Sequence, residues 1–294
     1  MLARGRKEEA LLWLRDASIL SPRSPLHQAD LLQTYAELAL ELKRPVEAGW
    51  ALHLAQEAIG YERELPTQLL FPALVYHPVW HTPLTGRRVV LKRPVKHHLP
   101  FLSSLLADSD FVGRYNTFLA SGQRAAEAFV IRSQQQPLQT RQLDWVIESA
   151  EGIPLGLACL ADLDLENQRA ELLVGFPTLP AMRQSMVEAA LLVMVAGFAH
   201  LKLQKLVSYV YSDNEPAQAA TLHLGFESEG LLRGHVRHRL TGRREDLHVN
   251  GLLRHEFFGS SVLSRHGRRT VSRRYPAGCL ILNELDPSGD PPRK

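Results

Sequence analysis

Cysteine is almost missing from this sequence: Cys159 and Cys279 are the whole complement in 294 residues. Two so widely separated cysteines build no disulfide framework and no cysteine-based metal site. Cys159 sits in an apolar run and reads as a small core residue. Long hydrophobic runs are missing too. The longest, Ala189 to Ala199, is closed by Glu188 and His200, well short of the ~20 residues that cross a bilayer. The N-terminus carries Arg4, Arg6, Lys7, Glu8 and Glu9 without an apolar secretion segment, so the expectation is a cytoplasmic chain with no membrane partner. There is no P-loop and no Gly-x-Ser-x-Gly elbow, which removes two large enzyme classes. One-signed charge is absent from the body of the chain. The formal net charge is +3, but seven basic and three acidic residues lie from Gly259 onward. That tail is net +4 and residues 1–258 are near −1. The body is therefore not a basic nucleic-acid surface, and the tail reads as a solvated segment.

What is present is a globular composition, 45% hydrophobic and 22% charged, at a length that suits one large domain or two smaller ones. Apolar spacing predicts three opening helices: Glu8 to Leu20, Gln28 to Lys43, and one from Pro45 to about Ile59. Ser21-Pro22-Arg23-Ser24-Pro25 ends the first. Ala36, Ala48 and Ala55 match the small positions of tetratricopeptide repeats, so residues 1–60 resemble a degenerate helical repeat or a plain helical hairpin. On the repeat reading, residue 1 falls at the turn inside a repeat. A lone repeat buries its apolar face poorly, which implies a neighbour or a protein partner. Residues 61–83 hold Pro66, Pro72, Pro78 and Pro83 with Phe71, Tyr76 and Trp80 among them. They read as an ordered linker in which proline rules out a regular element.

From residue 84 to 258 the pattern becomes mixed α/β. Strands are expected at Arg87–Arg93, Gln142–Ser149, Pro154–Leu160, Arg169–Phe176, Lys205–Tyr211, Phe226–Val236 and Asp246–Arg254. Helices are expected at Leu99–Ala107, Arg124–Gln136, Ser185–His200 and Glu215–Leu224. The third of these is apolar all round, hence buried. His97-His98 reads as a solvated helix start rather than a metal site, and residues 259–294 as a basic tail.

That order, with several local sequences, resembles the GCN5-related N-acetyltransferase (GNAT) superfamily, and within it the ribosomal-protein N-terminal acetyltransferases of RimJ/RimL type. The matching stretches are Leu84 to Pro94, Ala170 to Phe176, Glu188 to Leu191, Asp213 to Ala217, Leu224 to Arg233 and Arg244 to Leu247. The resemblance implies a mostly antiparallel mixed sheet flanked by helices. It implies acetyl-CoA as co-substrate, its pantetheine arm pairing with strand backbone at Leu173, Val174 and Gly175. The pyrophosphate would then sit on the helix start at Arg183, Gln184, Ser185 and Met186. Asn214 caps the following short helix on this reading and touches the cofactor.

The same resemblance makes Glu171 the first candidate base and His235 the second. It also exposes departures. The stretch from Pro180 to Val187 has no glycine where the family's phosphate loop is glycine-rich, and Ala217 and Val236 stand where close relatives carry serine and a carboxylate. Two readings follow. One is an N-acetyltransferase acting on a primary amine, either a peptide N-terminus or an amino sugar or other small amine. The other is a catalytically silent binding module working with a protein partner through residues 1–60.

Overall fold

The computed structural model describes residues 4–20, 22–59, 65–115, 123–177, 182–237 and 242–260. These fall into two compact units, one up to Thr82 and one from Pro83. The tail from residue 261, residues 61–64 of the linker, and Pro180 and Ala181 lie outside the described residues.

The first unit is helical: α1 (Arg4–Leu20), α2 (Pro25–Glu41), α3 (Pro45–Ile59) and α4 (Thr67–Val75). Ser24 caps α2, its hydroxyl accepting from the His27 N–H at 3.1 Å, with Pro25 in the first turn. Alanines make the crossings close: Ala29, Ala36, Ala39, Ala48 and Ala55 are fully buried. Helix α4 corrects the expectation for the linker. Pro72 lies inside it, and the helix still closes, with the Tyr76 N–H on the Pro72 carbonyl at 3.0 Å. A proline removes one donor and crowds one preceding carbonyl, so a two-turn helix absorbs it where a longer one would kink. Trp80 is buried and Tyr76 is at the exposed limit.

Gly49 shows how tight this unit is. A Cβ there would stand 2.0 Å from the Tyr76 carbonyl oxygen and 2.7 Å from its carbon. Alanine inside a helix ordinarily gains about 1 kcal/mol over glycine. Here the obstacle is backbone, which cannot swing aside, and overpacking costs about 1–3 kcal/mol. Gly49→Ala is therefore expected to lower the urea midpoint of this unit. An unchanged or higher midpoint would show that α3 and the Tyr76 turn separate freely.

The second unit is an eight-stranded sheet in the order β1-β2-β3-β4-β5-β6-β8-β7. The strands are β1 (Leu84–Thr85), β2 (Val89–Lys92), β3 (Leu143–Ser149), β4 (Pro154–Asp164), β5 (Arg169–Gly175), β6 (Lys205–Tyr211), β7 (Glu227–Arg237) and β8 (Arg244–Leu253). Only the β5–β6 neighbours are parallel. The expected mostly antiparallel mixed sheet flanked by helices is what the chain forms. Its helices are α5 (Leu99–Ala107), α6 (Ser109–Tyr115), α7 (Gln123–Ser133), α8 (Pro137–Thr140), α9 (Arg183–Val195), α10 (Glu215–His223) and α11 (Arg254–Gly259). A π-helical turn, Ala196–His200, continues α9. Periodicity did not predict α6, α8 and α11. They span one or two turns, too few to repeat a pattern.

Each face of the sheet has its own cover. Val146 and Leu157 pack under α5, α6 and α7 with Leu102, Leu106, Phe111 and Phe129. On the other face Ala170, Leu206 and Leu252 are buried, and Leu206 would meet a Cβ at Gly197 in the π-helical turn at 3.5 Å. Helix α9 is buried from Glu188 to Val195, as its apolar surround predicts. Glu188 is the exception in chemistry. Its carboxylate accepts the Arg88 N–H at 2.7 Å, closing the turn between β1 and β2. Gly86 makes room, since a Cβ there would meet that carboxylate at 2.0 Å.

One local reading changes. His98 is fully buried rather than solvated, while His97 is exposed. The His98 Nδ1 accepts the Val95 N–H at 3.0 Å, so the neutral ring carries its proton on Nε2, 2.7 Å from Glu148. Lys92 reaches the other oxygen of Glu148 at 2.7 Å. Neither His98 nitrogen keeps a free lone pair, so the His97–His98–Glu148 group is a hydrogen-bonded anchor rather than a metal site. Cys159 is buried as expected, and desolvation holds its thiol well above the usual range.

Candidate active site

The parallel seam between β5 and β6 is short. Only Arg169, Ala170 and Glu171 pair, with Lys205, Leu206 and Val207. Beyond that row β5 stays bound to β4 through Leu172, Leu173, Val174 and Gly175, while β6 stays bound to β8 from Ser208 to Tyr211. The two strands thus part in a wedge. Along this stretch, among the described residues, no strand pairs with β5 on its β6 side, and an extended amide-bearing ligand could pair with that edge.

Glu171 is the last paired residue, at the apex of this wedge. Successive side chains alternate across a strand, so Glu171, Leu173 and Gly175 share the face covered by α6. Burial, and secondarily the charge of Asp162, raise the Glu171 carboxyl to about 7. A carboxylate poised there can take a proton near neutral pH.

Helix α6 roofs the β5 side. Phe111 and Tyr115, one helical turn apart, stack at 5.2 Å between ring centroids and lie directly on Gly175. Asp110, Gly113 and Arg114 on the adjoining surface of α6 line a cavity of about 100 Å³ with Ser109, Tyr211, Asp213 and Glu245. Tyr211 is four residues beyond Val207 on β6, roughly 13 Å along the strand. The cavity therefore lies at the mouth of the wedge, and Glu171 at its closed end.

Helix α9 starts beside β5 with its first turn uncapped: Met182 occupies the cap position and its side chain accepts nothing. The N–H groups of Arg183, Gln184 and Ser185 precede the first α-helical bond, which the Met186 N–H makes to the Met182 carbonyl. They carry the positive end of the helix dipole, and no acidic residue stands in this turn. Arg183 and Gln184 are exposed, and Ser185 and Met186 half-buried. An anion could bind here with the Arg183 side chain as an added donor.

The other expected residues fall elsewhere. Asn214 caps α10, its side-chain oxygen accepting the Ala217 N–H at 3.3 Å. His235 is on the exposed side of β7, three strand spacings from β5, roughly 14 Å across the sheet. It also lies toward the opposite end of β7, since Glu171 shares its row with Val207, Gly251 and Glu227. Glu171 and His235 are not brought together. Sequence reasoning missed Tyr115 and the cavity residues Asp110, Asp213 and Glu245. None belongs to a motif; only α6 and the split strands unite them.

The family model described as the acetyltransferase (GNAT) domain matches residues 88–227. These residues are thus similar to a GNAT acetyltransferase domain. Among solved structures, a GCN5-related N-acetyltransferase from Brucella melitensis is 21% identical, over 64% of this chain and 85% of that one, at a TM-score of 0.53. A GNAT-family acetyltransferase from Bacillus anthracis is 15% identical, over 59% and 99%, at 0.51. Spermidine N-acetyltransferase from Vibrio cholerae, solved with CoA and spermine, is 19% identical, over 57% and 97%, at 0.50. At these identities the likeness is one of fold. No curated protein matches the sequence.

Proposed function

We propose that the chain is an acetyl-CoA-dependent N-acetyltransferase for a primary amine, with Glu171 as its base. The observation that carries this reading is the wedge with a half-buried carboxylate, raised to about 7, at its apex. The site fits acetyl-CoA on two counts independent of family. The unpaired edges at Leu173 to Gly175 suit the amide groups of a pantetheine arm, and the uncapped start of α9 suits a pyrophosphate. Bound there, acetyl-CoA supplies an activated thioester.

The chain's own residues do the rest. Strand β5 holds the arm by backbone hydrogen bonds. Arg183, Gln184, Ser185 and Met186 hold the phosphates. Asp110, Asp213 and Glu245 outnumber Arg114 around the mouth and favour a cation, and an amine arrives as one at neutral pH. Attack needs the neutral amine, so the Glu171 carboxylate takes the proton, directly or through water. His235, remote and exposed, is kept out of this role.

The acceptor is an amine presented at that acidic mouth. The resemblance to RimJ/RimL-type enzymes favours a peptide N-terminus. The likeness to a structure that holds spermine favours a polyamine. The silent-module reading rests on one observation, the Cβ atoms at Met182, Arg183 and Gln184 where the family's loop uses glycine.

One experiment separates these readings. Acetyl-CoA at 100 times its Kd should stabilise the protein by about 2.7 kcal/mol and raise the Tm. Turnover should then follow with one of spermidine, an amino sugar or a short peptide with a free N-terminus. No shift at millimolar acetyl-CoA would leave the binding-module reading, with the helices of residues 1–60 as its partner surface.

A further inference from the structure

Tyr209 is a large aromatic in the interior of the sheet, yet it is 37% exposed. Strand β6 pairs with β8 at every residue from Lys205 to Tyr211, without a shift of register. Its side chains therefore alternate cleanly between the two faces. Leu206 and Val210 are buried on one of them. On that face Asn250, paired with Ser208, holds α10 through two hydrogen bonds with Gln218, at 2.8 and 2.9 Å. Val207, Tyr209 and Tyr211 take the other face. Glu171 pairs with Val207 and so faces the same way as Tyr209.

Tyr209 stands between the two ends of the site. It is two residues, roughly 7 Å, from the row that holds Glu171. Two residues further on, Tyr211 lines the cavity with Asp110, Asp213 and Glu245. The residues beside Tyr209 on this face leave its ring open. Val249, its partner on β8, is half-buried, and Gly230, next in that row on β7, brings no side chain. At the far end of the strip, Lys205 binds Glu229 at 2.7 Å. The pair passes over Gly251, where a Cβ would collide with the Glu229 carboxylate. The strip is thus closed by an ion pair at one end and opens on acidic groups at the other.

An aromatic ring in this position offers two things. Its face attracts an ammonium group, and its apolar body suits a methylene chain. A cation drawn to the acidic mouth meets this ring next on the way to Glu171. We propose that Tyr209 is a specificity-determining residue of the acceptor site, its ring receiving the ammonium group and methylene chain of a linear aliphatic amine on the open face of β6. This inference rests on the N-acetyltransferase reading above and narrows its acceptor. The ring acts on the amine while it is charged, before Glu171 takes its proton. Its loss should therefore raise KM for the amine and barely move kcat.

Tyr209→Phe keeps the ring, and Tyr209→Leu removes it at an exposed position. Spermidine is the linear probe and glucosamine the compact one. Calorimetric titration of either into protein saturated with CoA reads acceptor binding without turnover. Spermidine should bind the CoA complex of Tyr209→Leu about 10-fold more weakly than that of wild type, the scale of a ring–cation contact. Tyr209→Phe should match wild type, glucosamine should not distinguish the three proteins, and acetyl-CoA affinity should be the same in all. In turnover with spermidine the loss should appear in KM. Equal spermidine affinity in wild type and Tyr209→Leu would overturn the proposal, as would no spermidine binding by the CoA-loaded wild type. Loss of acetyl-CoA binding in Tyr209→Leu would also overturn it, by making the ring a structural prop. If the wild type gives no heat with CoA or acetyl-CoA, the co-substrate reading itself fails and this inference falls with it.

Discussion

Glu171→Gln is expected to lower turnover by about 10²–10⁴-fold, the usual contribution of a positioned base. The amide keeps the size and hydrogen-bonding capacity of the carboxyl at the wedge apex but takes no proton at neutral pH. Affinity for acetyl-CoA should barely change, because the proposed contacts to the arm are backbone groups of β5. The wild-type pH profile carries the same information. With its carboxyl raised to about 7 by burial, Glu171 ionises as the pH rises through that value. Activity should climb through it, and the variant should lose that limb. Stability runs the other way. A carboxyl raised above its unfolded value stabilises the fold at low pH, and that contribution is lost as the pH rises through about 7. The variant should therefore gain Tm relative to wild type between about pH 5 and about pH 8. Full activity in Glu171→Gln would remove it from the mechanism.

The secondary structure was readable wherever an element is long enough to repeat its pattern. Helix α5 and strand β6 follow the expected bounds, and α3 does so from its initial proline. The buried character of α9 was legible because charge is missing from every side of it. What failed was local. Pro72 was given too much weight, since a proline is costly in a long helix but tolerable in a nine-residue one. His98 looked solvated because it follows His97 in a basic stretch. Its burial depends on Glu148, fifty residues later and brought beside it only by the pairing of β2 with β3.

The candidate site was half legible for the same reason. Glu171, Leu173, Val174 and Gly175 lie on one strand, so a single matching segment placed them together. His235 entered as the titratable neighbour of Val236, which stands where close relatives carry a carboxylate. The sheet order, with β8 between β6 and β7, puts it far from the wedge. Tyr115 had no signal beyond being an aromatic in an unassigned turn. Its place on β5 depends on a missing side chain, at Gly175, in a strand about sixty residues away.

Arg183→Ala is expected to weaken acetyl-CoA binding by roughly 10- to 150-fold, the effect of losing one charge-assisted hydrogen bond of about 1.5–3 kcal/mol. Glycine lets backbone approach a phosphate closely, and this chain has none between Pro180 and Val187. The N–H groups at the start of α9 still point outward from an uncapped turn, so half of an anion site survives. The lost half is distance, since each Cβ pushes the phosphate outward and weakens the backbone contacts. Arg183 is the charged side chain in that stretch, is exposed at the helix start, and forms no ion pair among the described residues. A long guanidinium arm can span the added gap and bind two oxygens at once. Calorimetric titration of wild type and variant measures the difference. Because the bond is between exposed charges, the gap should also narrow at high salt. Equal affinities would take Arg183 out of the site and leave the dipole and the Ser185 hydroxyl to hold the phosphates.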